Sequence, residues 1–260
     1  LRAGTSLADQ VYATQFIQAE AMRVAYQDFR RRWQRPGARA VGGALVWQLN
    51  DCWPVTSWAL IDSAGTVKPA WHAIRRAMAP LAVALRQEKN SLRFTVMNAG
   101  STRELTLRFK TFDLQGNCRF EQTLGWTADN DVSADGWIAL PDSDITVVAE
   151  VIATDARTNS EISRDCAWPE PFKFQDFSLA SVGFHRSDCG LKVSATAPVK
   201  GLWLQSEGLE FEDNFIDLVP GDVRHIAVRG ARQGPVVWSA LDQPGGEVPE
   251  VLIPGAAFSP

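Results

Sequence analysis

Val41-Gly42-Gly43-Ala44-Leu45-Val46-Trp47 is an uncharged apolar run that passes directly into Gln48-Leu49-Asn50-Asp51-Cys52-Trp53-Pro54. The apolar part shows no period-2 alternation, the pattern of a strand buried on both faces, as in a parallel sheet covered by helices. Polarity returns abruptly at Gln48, Asn50 and Asp51, with Trp47 and Trp53 beside them. A strand whose C-terminal end carries a carboxylate, amides and indoles is how a (β/α) barrel presents its site. Indole faces can stack on the C–H faces of a sugar, while Asn and Asp take its hydroxyls. The plainer reading of the same residues is a buried strand running into a polar loop, with the tryptophans in the core.

Working outward, Thr5 to Arg35 reads as a long amphipathic helix. Ser6 with Asp9 three residues on has the spacing of a capping box. Tyr12, Phe16, Ala19, Met22, Tyr26, Phe29 and Trp33 recur at steps of three or four and make one apolar stripe. Arg30, Arg31, Arg32 and Arg35 suit the negative end of the helix dipole, and Pro36-Gly37 stops the helix. Glu20, three residues before Arg23, reads as half of a helical ion pair and not as a catalytic acid. On the other side of the run, Asp62-Ser63-Ala64-Gly65 is a turn. Pro69 then opens a helix to about Met78, with Ala70, Ile74, Ala77 and Leu81 inward and Pro80 as its stop. Helix, strand, long loop and helix equal the last unit and a half of a (β/α)8 barrel.

From about Leu81 the period changes from helical to alternating. Leu92-Phe94-Val96, Leu105-Leu107-Phe109 and Ile145-Val147-Ala149-Val151 are separated by turn signals at Asn98-Ala99-Gly100, Gln115-Gly116-Asn117 and Asp135-Gly136. Short strands at this spacing predict a β-sandwich of ~100 residues. Trp168-Pro169-Glu170-Pro171 is the expected linker. Beyond it, Leu191-Val193-Ala195, Leu202-Leu204, Ile226-Val228 and Val236-Val237-Trp238 predict a second sandwich, with a turn at Val219-Pro220-Gly221-Asp222. Trp203 and Trp238 are read as core residues of that sandwich in preference to sugar-binding ones. The fold expected is mixed: the terminal strand and helices of a TIM barrel over 1–80, then sandwiches over 81–172 and 173–260.

Composition narrows the function classes. With 45% hydrophobic and 22% charged residues, the sequence is that of an ordinary soluble globular protein. A net charge of −4 and no basic cluster beyond Arg30-Arg31-Arg32 argue against nucleic acid. No apolar run approaches the ~20 residues of a membrane helix. The N-terminus has no signal-peptide pattern and no initiator Met, so an upstream segment is expected. Cys52, Cys118, Cys166 and Cys189, like His72, His185 and His225, are dispersed without metal-ligand spacing, and no zinc site is expected. Cys118 and Cys166 fall in one sandwich and could pair, although free and buried is the expected state. The cysteines leave the compartment open, with a periplasmic or secreted location preferred to a cytoplasmic one.

Trp47-Gln48-Leu49-Asn50-Asp51-Cys52-Trp53-Pro54-Val55-Thr56-Ser57-Trp58, followed by Leu60-Ile61-Asp62 and Lys68-Pro69-Ala70, resembles the end of the catalytic barrel in β-mannosidases of glycoside hydrolase family 2. Asp213-Asn214-Phe215-Ile216-Asp217-Leu218-Val219-Pro220-Gly221-Asp222 resembles the C-terminal immunoglobulin-like domain of the same enzymes. The first motif is long and specific; the second is weaker, because Pro-Gly turns are common in sandwiches. The resemblance implies the C-terminal part of a retaining exo-β-mannosidase that removes terminal non-reducing β-D-mannose from oligosaccharides or glycoconjugates. Its implied partners are a β-mannoside oligosaccharide and the upstream remainder of the same enzyme. No metal or other cofactor is implied.

Retaining hydrolysis needs two carboxyl groups only ~5 Å apart. One barrel strand cannot supply both, and Asp51 stands alone near its end. In the family both catalytic glutamates lie on earlier strands, so no catalytic residue is assigned to this chain, which is expected to be inactive alone. A triad of Ser57, Asp62 and His72 has no support in the spacing. What the resemblance does assign is pocket wall: Trp47, Gln48, Asn50, Asp51 and Trp53 would line or support the site of the terminal sugar. Two alternatives stay open. One is another family 2 exo-glycosidase such as an exo-β-glucosaminidase. The other is a non-catalytic carbohydrate-binding or interaction module formed by 81–260.

Overall fold

Ser6 and Asp9 close a reciprocal cap: the Asp9 N–H donates to Ser6 Oγ at 3.1 Å and the Ser6 N–H to Asp9 Oδ2 at 3.2 Å. This starts helix α1, Leu7–Arg31, in a computed structural model that describes residues 6–33, 40–141, 147–177 and 180–249. Thr5, the Arg35-Pro36-Gly37 stop and Ile145 lie outside the described residues. Tyr12, Phe16, Ala19 and Tyr26 form the buried stripe of α1, whereas Phe29 is exposed. Glu20 and Arg23 make the expected pair at 3.1 Å. The chain divides into two compact units, one of Thr14–Asp113 with Cys118–Pro169, the other of Leu1–Ala13, Leu114–Asn117 and Glu170–Pro260.

In the first unit, α2 (Pro69–Ala77) starts at the proline and buries Ala70, Ile74 and Ala77. Seven antiparallel strands follow among the described residues. They are β1 (Leu81–Glu88), β2 (Ser91–Asn98), β3 (Arg103–Phe112), β4 (Cys118–Ala128), β5 (Val132–Ala139), β6 (Val148–Asp155) and β7 (Glu161–Ala167). They form two sheets, ordered β1-β2-β5 and β4-β3-β6-β7. The inward-facing alternate residues Leu81, Val83, Leu85, Leu92, Phe94, Val96, Leu105, Leu107, Phe109 and Val151 share one core. Each such side chain stabilises the fold by about 1.5–3 kcal/mol relative to exposure.

Helix α1 covers the outward face of the smaller sheet. Ala82, Ala84 and Met97 form a separate buried cluster there. Arg30 donates to the Met97 carbonyl and Ser133 Oγ to the Arg30 carbonyl. The two outer strands β1 and β7 are stitched by side chains. Asp165 Oδ2 accepts the Leu85 N–H at 2.8 Å and Ser163 Oγ the Val83 N–H at 3.1 Å, so edge donors of β1 are satisfied. Asp165 is itself held by Arg23 and Gln27 of α1.

The second unit contains β8 (Val182–Ser187), β9 (Gly190–Ala195), β10 (Val199–Gln205), β11 (Leu209–Phe211), β12 (Ile216–Leu218), β13 (Val223–Gly230), β14 (Val236–Ser239) and β15 (Gly246–Val248). Its antiparallel sheets are ordered β12-β10-β14-β15 and β11-β13-β9-β8. Leu191, Val193, Leu202, Leu204, Ile216, Ile226 and Val228 form the core, with Trp238 packed against it. Trp203 is half-buried. The Pro220-Gly221 turn has Gly221 at φ +79°, with the Asp222 N–H donating to the Val219 carbonyl. That is the left-handed third position of a type II turn, which favours glycine.

Two sequence expectations are corrected. Val41–Val46 is not a buried strand among the described residues: Val41 makes a single parallel bridge to Trp33, and Leu45 is 99% exposed. An apolar strand needs hydrogen-bonded neighbours on both edges and a cover on each face, and the described residues provide neither there. Cys118 is exposed, because it opens an outer strand of its sheet; all four cysteines are free. Trp168, at the head of the expected linker, is buried at 6% exposure, and the two units divide inside that stretch, after Pro169.

Candidate functional site: the tryptophan-bearing loop before the second helix

Between Trp47 and Lys68 the backbone folds on itself without a regular ladder. The Leu60 N–H reaches the Gln48 and Leu49 carbonyls, the Ile61 N–H donates to Leu49 O at 2.9 Å, and the Asp51 N–H returns to Ile61 O at 3.0 Å. Asn50 and Ile61 thus form a short parallel bridge, and Ile61 pairs in turn with Val67. Asp62 finishes the frame: its Oδ1 accepts the N–H groups of Ala64 and Thr66 at 2.9 and 2.8 Å, fixing the predicted turn. The two strips, 48–51 and 59–62, hold a bend between them that projects Cys52 to Thr56 into solvent.

Asp51 is the polar centre of this frame. It is 5% exposed. Its Oδ1 accepts the Ser57 hydroxyl at 2.6 Å and its Oδ2 accepts Lys68 Nζ at 3.2 Å. The Ser57 hydroxyl, followed by the Lys68 ammonium, holds the Asp51 carboxyl below its usual range against the opposing effect of desolvation. Asp51 is therefore a carboxylate near neutral pH, with both oxygens engaged inside the loop.

The other expected site residues are placed differently. Trp47 is 77% exposed and Trp53 67%. Asn50 is exposed, and its Nδ2 donates to the Asp51 carbonyl at 3.2 Å. Gln48 is half-buried and takes part through its carbonyl. The peptide bond between Trp47 and Gln48 is cis. The loop thus separates its functions: indoles outward, carboxylate inward. Trp58, also 61% exposed, joins the outward set, and Gln18 Nε2 donates to its carbonyl at 2.7 Å.

Ser57, Asp62 and His72 are not a triad. Ser57 faces Asp51, Asp62 caps its own turn, and His72 is buried in α2 with its ring edge-on to Trp71. Ser57 and Lys68 are the participants that sequence reading did not place in the site. Lys68 directly precedes the proline of α2, and its signal in the sequence was the Lys68-Pro69-Ala70 stretch of the family resemblance, which gave it no role. No three His, Cys, Asp or Glu side chains among the described residues converge to hold a metal ion. No described helix is long and apolar enough to cross a membrane.

Comparison with known proteins adds a context to this geometry. No family model matches the chain. A β-mannosidase B from Aspergillus niger is 35% identical over 263 residues, covering 89% of this chain and 30% of the enzyme. A β-mannosidase B from Aspergillus clavatus is 32% identical over 270 residues, covering 94% of this chain and 32% of the enzyme. Among solved structures, the β-D-mannosidase of Dictyoglomus thermophilum superimposes with a TM-score of 0.78 at 19% identity, over 94% of this chain and 31% of that one. An exo-chitosanase from Amycolatopsis orientalis gives 0.70 at 18% identity, over 95% and 35%. The chain spans about a third of the length of the curated relatives it matches. The resemblance to the β-mannosidases of glycoside hydrolase family 2 read in the Trp47–Trp58 motif therefore holds across about nine-tenths of this chain.

Proposed function

We propose that this chain is the C-terminal portion of a retaining exo-β-mannosidase, with 1–80 completing a TIM barrel and 81–172 and 173–260 forming accessory immunoglobulin-like domains. The observation that carries the reading is the loop from Trp47 to Trp53, which turns two indoles outward from a frame braced by a buried carboxylate. In this reading Val41–Val46 becomes the last barrel strand once upstream strands cover it. Trp47 and Trp53 then wall the pocket of the terminal mannose, Gln48 and Asn50 offer amides at its rim, and Asp51 supports the wall from behind.

The chemistry belongs to two carboxyl groups upstream of this chain. One attacks the anomeric carbon, and the other protonates the leaving oxygen and then activates water, so the β configuration is restored. The residues of this chain contribute by enclosing and orienting the sugar. Stacking on an indole restricts the ring and excludes water as it flattens toward the oxocarbenium-like transition state. The substrate is a terminal non-reducing β-D-mannoside of an oligosaccharide or glycoconjugate.

The test uses the full-length gene product that contains this chain, with 4-nitrophenyl β-D-mannoside and the matching β-D-glucosaminide as substrates. The expected result is turnover of the mannoside with the higher kcat/KM, and a product first seen as the β anomer by NMR. Preference for the glucosaminide would transfer the reading to an exo-β-glucosaminidase. Failure to hydrolyse either, with carbohydrate binding retained by 81–260, would make the chain a binding module. The 260-residue chain alone is expected to hydrolyse neither substrate.

A further inference from the structure

The bend that carries Trp53 is tied only at its base. Among the described residues, Cys52 to Thr56 make no hydrogen bond or ion pair of their own, and all five are exposed. What shapes the bend is a triangle of side chains below it. Asp51 and Ser57, six residues apart, meet at 2.6 Å and close the two ends of the bend on each other. Lys68 reaches Asp51 Oδ2 at 3.2 Å and the Ser57 carbonyl at 3.5 Å, so one ammonium holds both ends. Ser57 Oγ also accepts the Ala59 N–H at 3.0 Å, which joins the triangle to the inner strip of the loop.

Lys68 is well suited to this task because it is anchored. It immediately precedes α2, whose Pro69, Ala70, Ala73, Ile74 and Ala77 are buried, and its own N–H donates to the Leu60 carbonyl at 2.8 Å. The Lys68–Asp51 pair is mostly withdrawn from water, with side-chain exposures of 14% and 2%. Salt screening is weak at such a site, and removal of either charge leaves the other unpaired. The bend is thereby coupled to a packed helix.

We propose that Lys68, Ser57 and Asp51 are positioning residues that pre-set the Trp53 bend at the sugar pocket, with Lys68 as the member that fixes it to α2. This rests on the β-mannosidase reading given above. A bend ordered in advance holds the indole where it meets the ring as the ring flattens in the transition state, an interaction the ground state does not use fully. The clamp therefore acts on kcat more than on KM.

The experiment has two arms. In the first, the 260-residue chain is labelled with 5-fluorotryptophan, and the Trp53 resonance is assigned by its loss in Trp53→Phe. Ser57→Ala and Lys68→Met should shift and narrow that line, Lys68→Arg should largely restore it, and the line of Trp137, exposed on β5, should stay put. A Trp53 line unmoved by both substitutions overturns the clamp. Lys68→Met leaves a buried carboxylate unpaired; Asp51→Asn/Lys68→Met has no such charge and serves if the single variant fails to fold.

In the second arm the same substitutions are made in the full-length gene product. The expected loss in kcat/KM for 4-nitrophenyl β-D-mannoside is about 10- to 100-fold, carried mostly by kcat and recovered in Lys68→Arg. Unchanged kinetics with a displaced Trp53 line would overturn the positioning role while leaving the clamp. A parent protein that hydrolyses no β-mannoside overturns the function proposed above together with the catalytic part of this inference. The fluorine spectra then decide the clamp by themselves.

Discussion

Asn214 closes its side-chain amide on both backbone groups of Leu204, donating to the carbonyl at 2.7 Å and accepting the N–H at 2.8 Å. One side chain thus imitates a strand neighbour for β10 at a point where β12 has not yet begun. Its Oδ1 also takes the Phe215 N–H at 2.9 Å, which fixes Phe215 at φ +51°. Asn214 is 5% exposed, so water cannot replace these bonds. Asn214→Leu should leave the Leu204 N–H and C=O unsatisfied, at a cost of about 2–4 kcal/mol. Urea unfolding of the purified chain measures it. A loss below the scatter of surface substitutions would mean that Leu204 finds other partners.

Two glycines permit a matched comparison. Gly116 has φ +96°, and a Cβ built on it would lie 2.4 Å from the Thr196 carbonyl oxygen, whereas Gly221 has φ +79° and open space around it. Gly221→Ala should pay only backbone strain, about 1 kcal/mol. Gly116→Ala must also push a backbone carbonyl away, and it should cost at least twice as much, about 2–4 kcal/mol. Equal losses in melting experiments on the two variants would show that the Thr196 segment yields freely.

What the sequence made legible follows from range. The Ser6–Asp9 cap spans three residues and was readable as a motif. The strands at Leu105, Leu191 and Ile226 were readable because each has one face in a core and the other toward water, and the one at Leu92 because Arg93 and Thr95 alternate with its core residues although α1 covers that face. β1 was harder: Leu81, Val83 and Leu85 face one core while Ala82 and Ala84 lie under α1, so apolar residues occupy both parities and no alternation shows. The run from Val41 to Val46 showed the opposite difficulty. Its composition speaks of burial on both faces, yet burial depends on neighbours that a single sequence cannot name, and Leu45 stands in solvent.

At the candidate site the indoles and the carboxylate were legible by type, but their roles were not. Asp51 finds Lys68 seventeen residues away, across a turn set by Asp62. No period or spacing rule encodes such a pairing. Lys68 was visible only within the Lys68-Pro69-Ala70 stretch of the family resemblance, with no partner indicated.

The pH response of the chain should carry the mark of Asp51. Its carboxyl is held below the ordinary value of 3.8 by the Ser57 hydroxyl first and then by Lys68, while burial opposes them. A group whose folded value is depressed contributes stability that is fully present above its unfolded value and is lost as pH falls through the folded one. Asp155 behaves likewise, through the N–H groups of Thr158 and Arg157. Stability should therefore be level from neutral pH to about pH 5 and decline below about pH 4. Asp51→Asn should flatten part of that decline while lowering stability at pH 7. An acid limb of unchanged slope in Asp51→Asn would remove Asp51 from the titration.

Trp47 offers the sharpest separation of structure from function. In this chain it is 77% exposed and contributes nothing to either core. Trp47→Ala should accordingly leave the unfolding of the 260-residue chain within about 0.5 kcal/mol of the parent. On the function proposed above, the same substitution in the full-length enzyme removes an indole from the wall of the sugar pocket. The interaction tightens as the ring flattens, so kcat/KM should fall by more than KM rises, with a loss of about 2–4 kcal/mol in transition-state stabilisation. Melting curves and steady-state kinetics, measured side by side on chain and enzyme, separate the possibilities. If the enzyme variant melts far earlier yet keeps the parent kcat/KM while folded, Trp47 belongs to the core of the assembled barrel and not to its pocket.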